Sequence, residues 1–175
     1  NKCKTILIAT KMIDEVMKRY DVEEYDVIAE VKGAALENFE VEHPFIDKKV
    51  PLILGEHVTT EAGTGAVHTA PDHGLDDFYV GQKYGIGTLN LVDENGVFSD
   101  NAGEFAEAHV YKVDEQIIEK LKANKKLIAL EKITHSYAHC WRTKTPLIYR
   151  ATPQWFISMT EKDLLGSALE AVEQI

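Results

Sequence analysis

The chain is poor in the features that would place it in several large classes of protein. It has two cysteines in 175 residues, Cys3 and Cys140, and their distance in sequence and context argues against a disulfide framework and for a reducing compartment. No apolar run exceeds strand length. The longest, such as residues 5–9 and 51–54, fall far short of the roughly 20 residues that a membrane span needs. No signal-peptide pattern opens the chain, so a cytoplasmic location without membrane association is expected. Positive charge is scarce too, with 19 Lys and Arg against 29 Asp and Glu, a net charge of −10. Affinity for a phosphate backbone rests on lysine and arginine displacing counterions, so independent nucleic-acid binding is not expected. An RNA substrate would have to be held by a larger protein, with this chain touching only its end. There is no internal repeat, no low-complexity linker and no HExxH metal motif. Ser99, Ser136 and Ser158 lie in no nucleophile elbow, and Cys140 has His135 and His139 near it but no glycine-framed turn, which argues against covalent catalysis.

What the chain does have is concentrated in residues 63–85, GTGAVHTAPDHGLDDFYVGQKYG. Gly63, Thr64 and Gly65 lead into the short apolar pair Ala66 and Val67, and residues 68–74 are rich in turn formers, with Pro71, Asp72 and Gly74. From Leu75 the pattern turns helical, with Leu75, Phe78, Tyr79 and Gln82 on one face, Asp76 and Asp77 in the first turn and Gly85 at the stop. A strand end and a helix start are thus expected a few residues apart, so that His68 on one can face Asp77 on the other. A carboxylate in a first helical turn is kept ionised by the helix dipole and by free N–H groups, which makes Asp77 a better cation anchor than a proton donor. Taken singly, an Asp pair at a helix start more often caps the helix, and a lone histidine more often satisfies a strand. Their joint occurrence across a glycine-rich turn makes this the candidate active-site segment. GxG alone is weak evidence of phosphate binding.

Elsewhere the pattern predicts a strand over residues 4–10, then a helix capped by Thr10 with Met12, Ile13, Val16, Met17 and Tyr20 inward, ended by residues 21–24. Residues 25–31, 39–41, 50–54, 88–92, 127–134 and 147–151 read as strands, with a hairpin signal at Asp93-Glu94-Asn95-Gly96 and a loop over 99–106. His57, Thr59 and Thr60 are expected in a loop beside the central segment. Asp114 is the expected cap of a helix that turns Ile117, Ile118 and Leu121 inward, and Trp155 with Phe156 is expected in the core. Thr160 opens a last helix with a Leu164, Leu165, Ala168, Leu169, Val172 stripe, a face expected to have lost its partner. Many short strands among separated helices indicate an α+β domain on a mixed, largely antiparallel sheet.

GTGAVHTAPDHG followed by DDF and VGQKYG resembles the editing insertion of isoleucyl-tRNA synthetases, which removes wrongly attached valine. VKGAALENFEVEHPF is similar to the middle of that insertion, and residues 135–159, HSYAHCWRTKTPLIYRATPQWFISM, to the segment that returns to the catalytic body. The likeness covers essentially the whole chain. Valine and leucine relatives differ where His68-Thr69-Ala70-Pro71 stands, so His68 points to the isoleucine branch. The resemblance implies a β-barrel-like core decorated with helices, an editing domain over residues 1–159 and a helix over 160–175 leading back toward the catalytic body. It implies deacylation of valyl-tRNA(Ile), and possible action on valyl-adenylate, with isoleucine excluded by size. Asp77 would bind the α-ammonium and His68 would exclude isoleucine, position water or act as base; Gly65, Val67 and Thr69 would supply backbone contacts. The partners implied are the mischarged tRNA 3′ end and the rest of a synthetase chain, in a monomer. No cofactor is implied in this domain, the parent enzyme using ATP and magnesium. HIGH and KMSKS motifs are absent, so this chain cannot activate an amino acid. His57, His68, His73, Asp72, Asp76, Asp77 and His109 could supply metal ligands but form no compact motif. Where some relatives carry CxxC, Cys140 is followed at the second place by Thr143, which argues against structural zinc. Family members also carry a threonine-rich peptide upstream of the first strand, and Thr59-Thr60 is not that peptide, so a binding shell with little hydrolysis is the alternative expectation.

Overall fold

Apolar periodicity organises the first element. The computed structural model describes residues 5–174; the start of the predicted first strand and Cys3 lie outside them. A 3-10 turn at Thr10–Met12 leads into α1, Ile13–Arg19. Met12, Val16 and Met17 are buried together, with Ile6, Ile8, Ala9, Ile13 and Tyr20 packed against them, as the 3.6-residue period demands. Thr10 is not the cap. Ala9 precedes the turn without a side-chain bond, and the Thr10 hydroxyl donates to Glu30 Oε1 at 3.1 Å instead.

Three helices end by one device. In α1, α2 (Leu75–Lys83) and α3 (Asp114–Ala123) the chain turns left-handed at Asp21 (φ 55°), Gly85 (φ 63°) and Lys125 (φ 57°). The next N–H then reaches back five residues, Val22 to Met17 O at 2.9 Å, Ile86 to Gly81 O at 3.0 Å and Lys126 to Leu121 O at 2.9 Å. These are Schellman stops, which satisfy carbonyls that the helix leaves free. Gly85 was legible as a stop because glycine takes positive φ at little cost. Asp114 opens α3 as its first residue and caps nothing, while Val113 before it is buried.

The sheet is small. β1 (Glu40–Glu42) and β2 (Lys49–Pro51) pair antiparallel with Val41 opposite Val50, and Asn38 and Leu52 extend the hairpin through N–H bonds of 2.8 Å to Leu52 O and Phe39 O. The predicted turn at Asp93 is present: its carboxylate accepts from Asn95 N–H at 2.9 Å and Val97 N–H at 2.8 Å. Those bonds hold its carboxyl below the usual range, led by the one from Val97. Bridges Val92 to Phe98 and Val97 to His109 make this a three-segment antiparallel meander. The expected loop within it contains a 3-10 helix, Asp100–Phe105, kinked at Gly103. The arrangement is α+β.

Residues 25–31, 127–134 and 147–151, expected as strands, form no strand and lie in no ladder. The chain exposes 14970 Å², against roughly 8,600 Å² for a compact monomer of this size. Trp155 and Phe156, expected in the core, are almost wholly exposed. α4 (Leu164–Glu173) likewise leaves Leu164, Leu165, Leu169 and Val172 uncovered. No helix among the described residues is long and apolar enough to cross a membrane.

The helix stops lead to a stability prediction. A Cβ at Gly85 meets nothing within 4 Å, so Gly85→Ala should cost about 1 kcal/mol from backbone conformation alone. Lys125→Gly should gain up to about 1 kcal/mol at the equivalent stop. Urea unfolding of the two variants beside the parent chain measures both, and shifts of the same sign would overturn the account.

Candidate active site

The site is assembled on the inward face of α2. The expected face through Leu75 and Tyr79 is wrong: both are exposed, and Val80 and Gly81 are buried instead. At i, i+3, i+4 and i+7, the residues turned inward are Asp77, Val80, Gly81 and Tyr84. Gly81 is needed for contact, since a Cβ there would stand 2.8 Å from Pro71 Cγ. The turn at residues 71–74 therefore lies directly on the helix it precedes.

Asp77 is the third residue of α2, and Gly74 caps it with extended backbone at φ −161°. Any residue can take that conformation, so the glycine serves space: a Cβ would lie 2.8 Å from Asp77 Oδ2. The carboxylate thus folds back over the helix N-terminus, where free N–H groups and the dipole favour negative charge. Its other oxygen, Oδ1, faces His57 Nε2 at 3.8 Å, with both side chains largely covered. The loop carrying His57 is anchored to the same helix face. Leu54 N–H donates to the Tyr84 hydroxyl at 3.1 Å, and that hydroxyl donates to Glu37 Oε1 at 2.5 Å. The Glu37 bond is the main reason that the Tyr84 phenol lies above its ordinary pKa. The expectation of a loop beside the central segment holds, and it brings an imidazole to Asp77.

That imidazole is not the one expected. Among the described residues no hydrogen bond or ion pair joins His68 to Asp77. His68 and Val67 are exposed, Thr69 is half-buried, and residues 66–70 pair with no strand. His68 is instead close enough to His43 to act on its charge. Burial chiefly, then His68 and Lys48, hold the His43 imidazole below its usual value, while its Nδ1 accepts from Ile46 N–H at 3.1 Å.

Gly65 has a structural duty of its own. Its φ is +77°, and a Cβ would run into Ala9, whose N–H donates to Thr64 O at 2.8 Å. Arg19 Nη1 donates to Gly63 O at 3.0 Å, so the GTG turn is docked on the α1 cluster. The next turn is fastened by Asp72, the one buried charged residue among those described. Its Oδ2 accepts from Leu89 N–H, its main-chain oxygen accepts from Ala151 N–H at 2.8 Å, and His73 Nδ1 donates to Tyr149 O at 2.8 Å. The pairing of His57 with Asp77 and the burial of Asp72 leave no mark in the sequence, since neither follows from a local pattern. The described residues contain no group of three or more His, Cys, Asp or Glu able to hold a metal ion. A hollow of about 540 Å³ lies elsewhere, lined by Arg19, Tyr20, Ala129, Leu130 and Glu131, and a smaller one by Pro153, Gln154 and Trp155.

A carboxylate at a helix mouth, backed by an imidazole, is suited to receiving a cationic group. The family model described as "Leucyl-tRNA synthetase, editing domain" matches residues 7–135, which include all of these side chains. Over 170 residues, 97% of this chain, the sequence is 59% identical to an "Isoleucine--tRNA ligase" of a Marinomonas species. It is 56% identical over the same length to that of Saccharophagus degradans and 55% to that of Teredinibacter turnerae. The match spans 18% of each of these relatives, so the chain corresponds to about a fifth of their length. The chain belongs to the aminoacyl-tRNA synthetase editing-domain family, and its similarity within that family is to isoleucine ligases.

Proposed function

We propose that this chain is the proofreading domain of an isoleucine-activating synthetase and hydrolyses the ester joining valine to the terminal ribose of isoleucine tRNA. The observation that carries the reading is Asp77, an anionic side chain at the N-terminal turn of α2 in a chain of the editing-domain family. Editing answers a physical limit, for which the isoleucine and valine synthetases are the standard illustration: an extra methylene is worth only about 1–3 kcal/mol in a pocket. Valine therefore passes a site built for isoleucine, and a second, smaller site has to remove it.

In this reading Asp77 accepts the α-ammonium of the mischarged valine and so orients the ester, a charge-assisted contact. His68 stands beside the amino-acid side chain, bars isoleucine and positions water; Gly65, Val67 and Thr69 contribute through their main chain. A ribose hydroxyl helps to orient the water, so no strong protein base is required. Segments with strand-like sequence such as 25–31, 127–134 and 147–151 belong to the barrel-like sheet in the complete enzyme. The remainder of the synthetase supplies ATP and magnesium chemistry and holds the tRNA, in a cytoplasmic monomer. The acidity of this chain supports that division, because a net charge of −10 disfavours binding the RNA backbone here.

A second reading, a binding shell for the aminoacylated 3′ end with no hydrolysis of its own, is favoured by one observation: His68 is exposed, and among the described residues the imidazole paired with Asp77 is that of His57.

In the full-length enzyme, Asp77→Ala should lower kcat/KM for deacylation of valine-charged tRNA(Ile) by roughly 10- to 100-fold, the worth of a hydrogen bond to a charged group. His68→Ala should let isoleucine-charged tRNA be hydrolysed as well. Unchanged deacylation of both tRNAs in both variants would reject the assignment. The two readings separate on the isolated chain, assayed alone and with upstream residues of the parent enzyme restored. Hydrolysis in either form supports the enzyme, whereas saturable binding of a valyl-adenosine analogue without turnover in both supports the shell.

A further inference from the structure

The contact that Asp77 makes within the chain is with His57, and it is built rather than incidental. Gly55 leaves room for the ring, since a Cβ there would stand 2.6 Å from His57 Cε1. Gly74 leaves room for the carboxylate in the same way on the other side. His57 Nε2 is buried and has no hydrogen-bond partner among the described residues, although it lies 3.8 Å from Asp77 Oδ1. A buried nitrogen of this kind is costly to leave unanswered. Its nearest acidic partner is the carboxylate to which the proposed function assigns the substrate amine. The backbone around His57 is held as well, by Val58 N–H donating to Gly55 O at 3.1 Å and by the bond from Leu54 N–H to Tyr84.

We infer that His57 is a positioning residue for Asp77. The imidazole stands behind Oδ1, Gly74 admits Oδ2 at the helix mouth, and together they set the direction in which the carboxylate meets an ammonium group. His57 touches no reacting atom; it acts through Asp77 alone. The inference rests on the reading of Asp77 as the ammonium anchor. A residue that acts in this way affects how well the substrate is held and oriented more than the bond-breaking step, and its effect vanishes once Asp77 is gone.

The test uses full-length synthetase and tRNA(Ile) charged with valine. His57→Ala should raise KM for deacylation by roughly tenfold and change kcat by less than about twofold. His57→Gln, which keeps an N–H donor within reach of Oδ1, should recover most of that loss. Aminoacylation with isoleucine should be unchanged in both, showing that the enzyme is folded. Combining His57→Ala with Asp77→Ala should give the KM of Asp77→Ala alone. Wild-type deacylation kinetics in both His57 variants, alongside impaired Asp77→Ala, would overturn the role of His57 and leave the proposed function standing. An additive loss in the double variant would likewise overturn it, by giving His57 an effect independent of Asp77. If Asp77→Ala itself left deacylation unchanged, the reading of the site would fall and the inference with it.

Discussion

A carboxylate withdrawn from water draws donors to itself, and at Asp72, where Oδ2 is answered while Oδ1 has no partner among the described residues, that pull shapes the middle of this chain. Its side chain takes the N–H of Leu89 and its main-chain oxygen takes that of Ala151, while the neighbouring His73 ring donates to Tyr149. Three stretches remote in sequence are thereby joined at one turn, and Asn90 adds a fourth bond to Ala151 O at 2.8 Å. Pro71 then lies on Gly81, so the fastened turn in turn fixes where α2 begins. The position of Asp77 follows from that start. Loss of the Asp72 carboxylate would take from the Leu89 N–H its acceptor and leave the main-chain bond to Ala151 and the His73 bond to Tyr149 in place.

Glycines recur wherever the site approaches another part of the chain, for more than one physical reason. Gly65 combines a left-handed backbone with contact against Ala9, whereas Gly74 has ordinary extended dihedrals and is needed only for the room it leaves Asp77. Gly55 does the same for His57. The pair is thus seated between two positions where a methyl group would intrude. One helix face completes the arrangement, with Asp77 near its start meeting His57 and Tyr84 at its end holding Leu54. Two attachments seven residues apart keep the loop aligned with the helix.

Features set by neighbouring residues are legible in this sequence, and pairings between distant residues are not. The apolar stripe of α1, the stop at Gly85 and the turn at Asp93 all depend on residues within about seven positions of one another, and the structure contains each. The stops at Asp21 and Lys125 use the same geometry without glycine, so composition concealed the device. The face of α2 was misjudged because Leu75 and Tyr79 are apolar and Gly81 is not a conventional core residue. Contact with Pro71 decided the matter, and small size was the qualification. Trp155 and Phe156 were expected inside on hydrophobicity, yet they lie exposed.

The sequence by itself determined the family likeness, the helices and the placing of an acidic side chain at the first turn of α2, because helix periodicity, turn chemistry and motif are properties of neighbouring residues. Only the tertiary structure decided which imidazole stands against that carboxylate. His68 is nine positions from Asp77 and was the natural partner by spacing, but His57, twenty positions away, reaches it through a loop anchored at Tyr84. A spacing limits which groups can meet; the contacts that orient the chain between them determine which do.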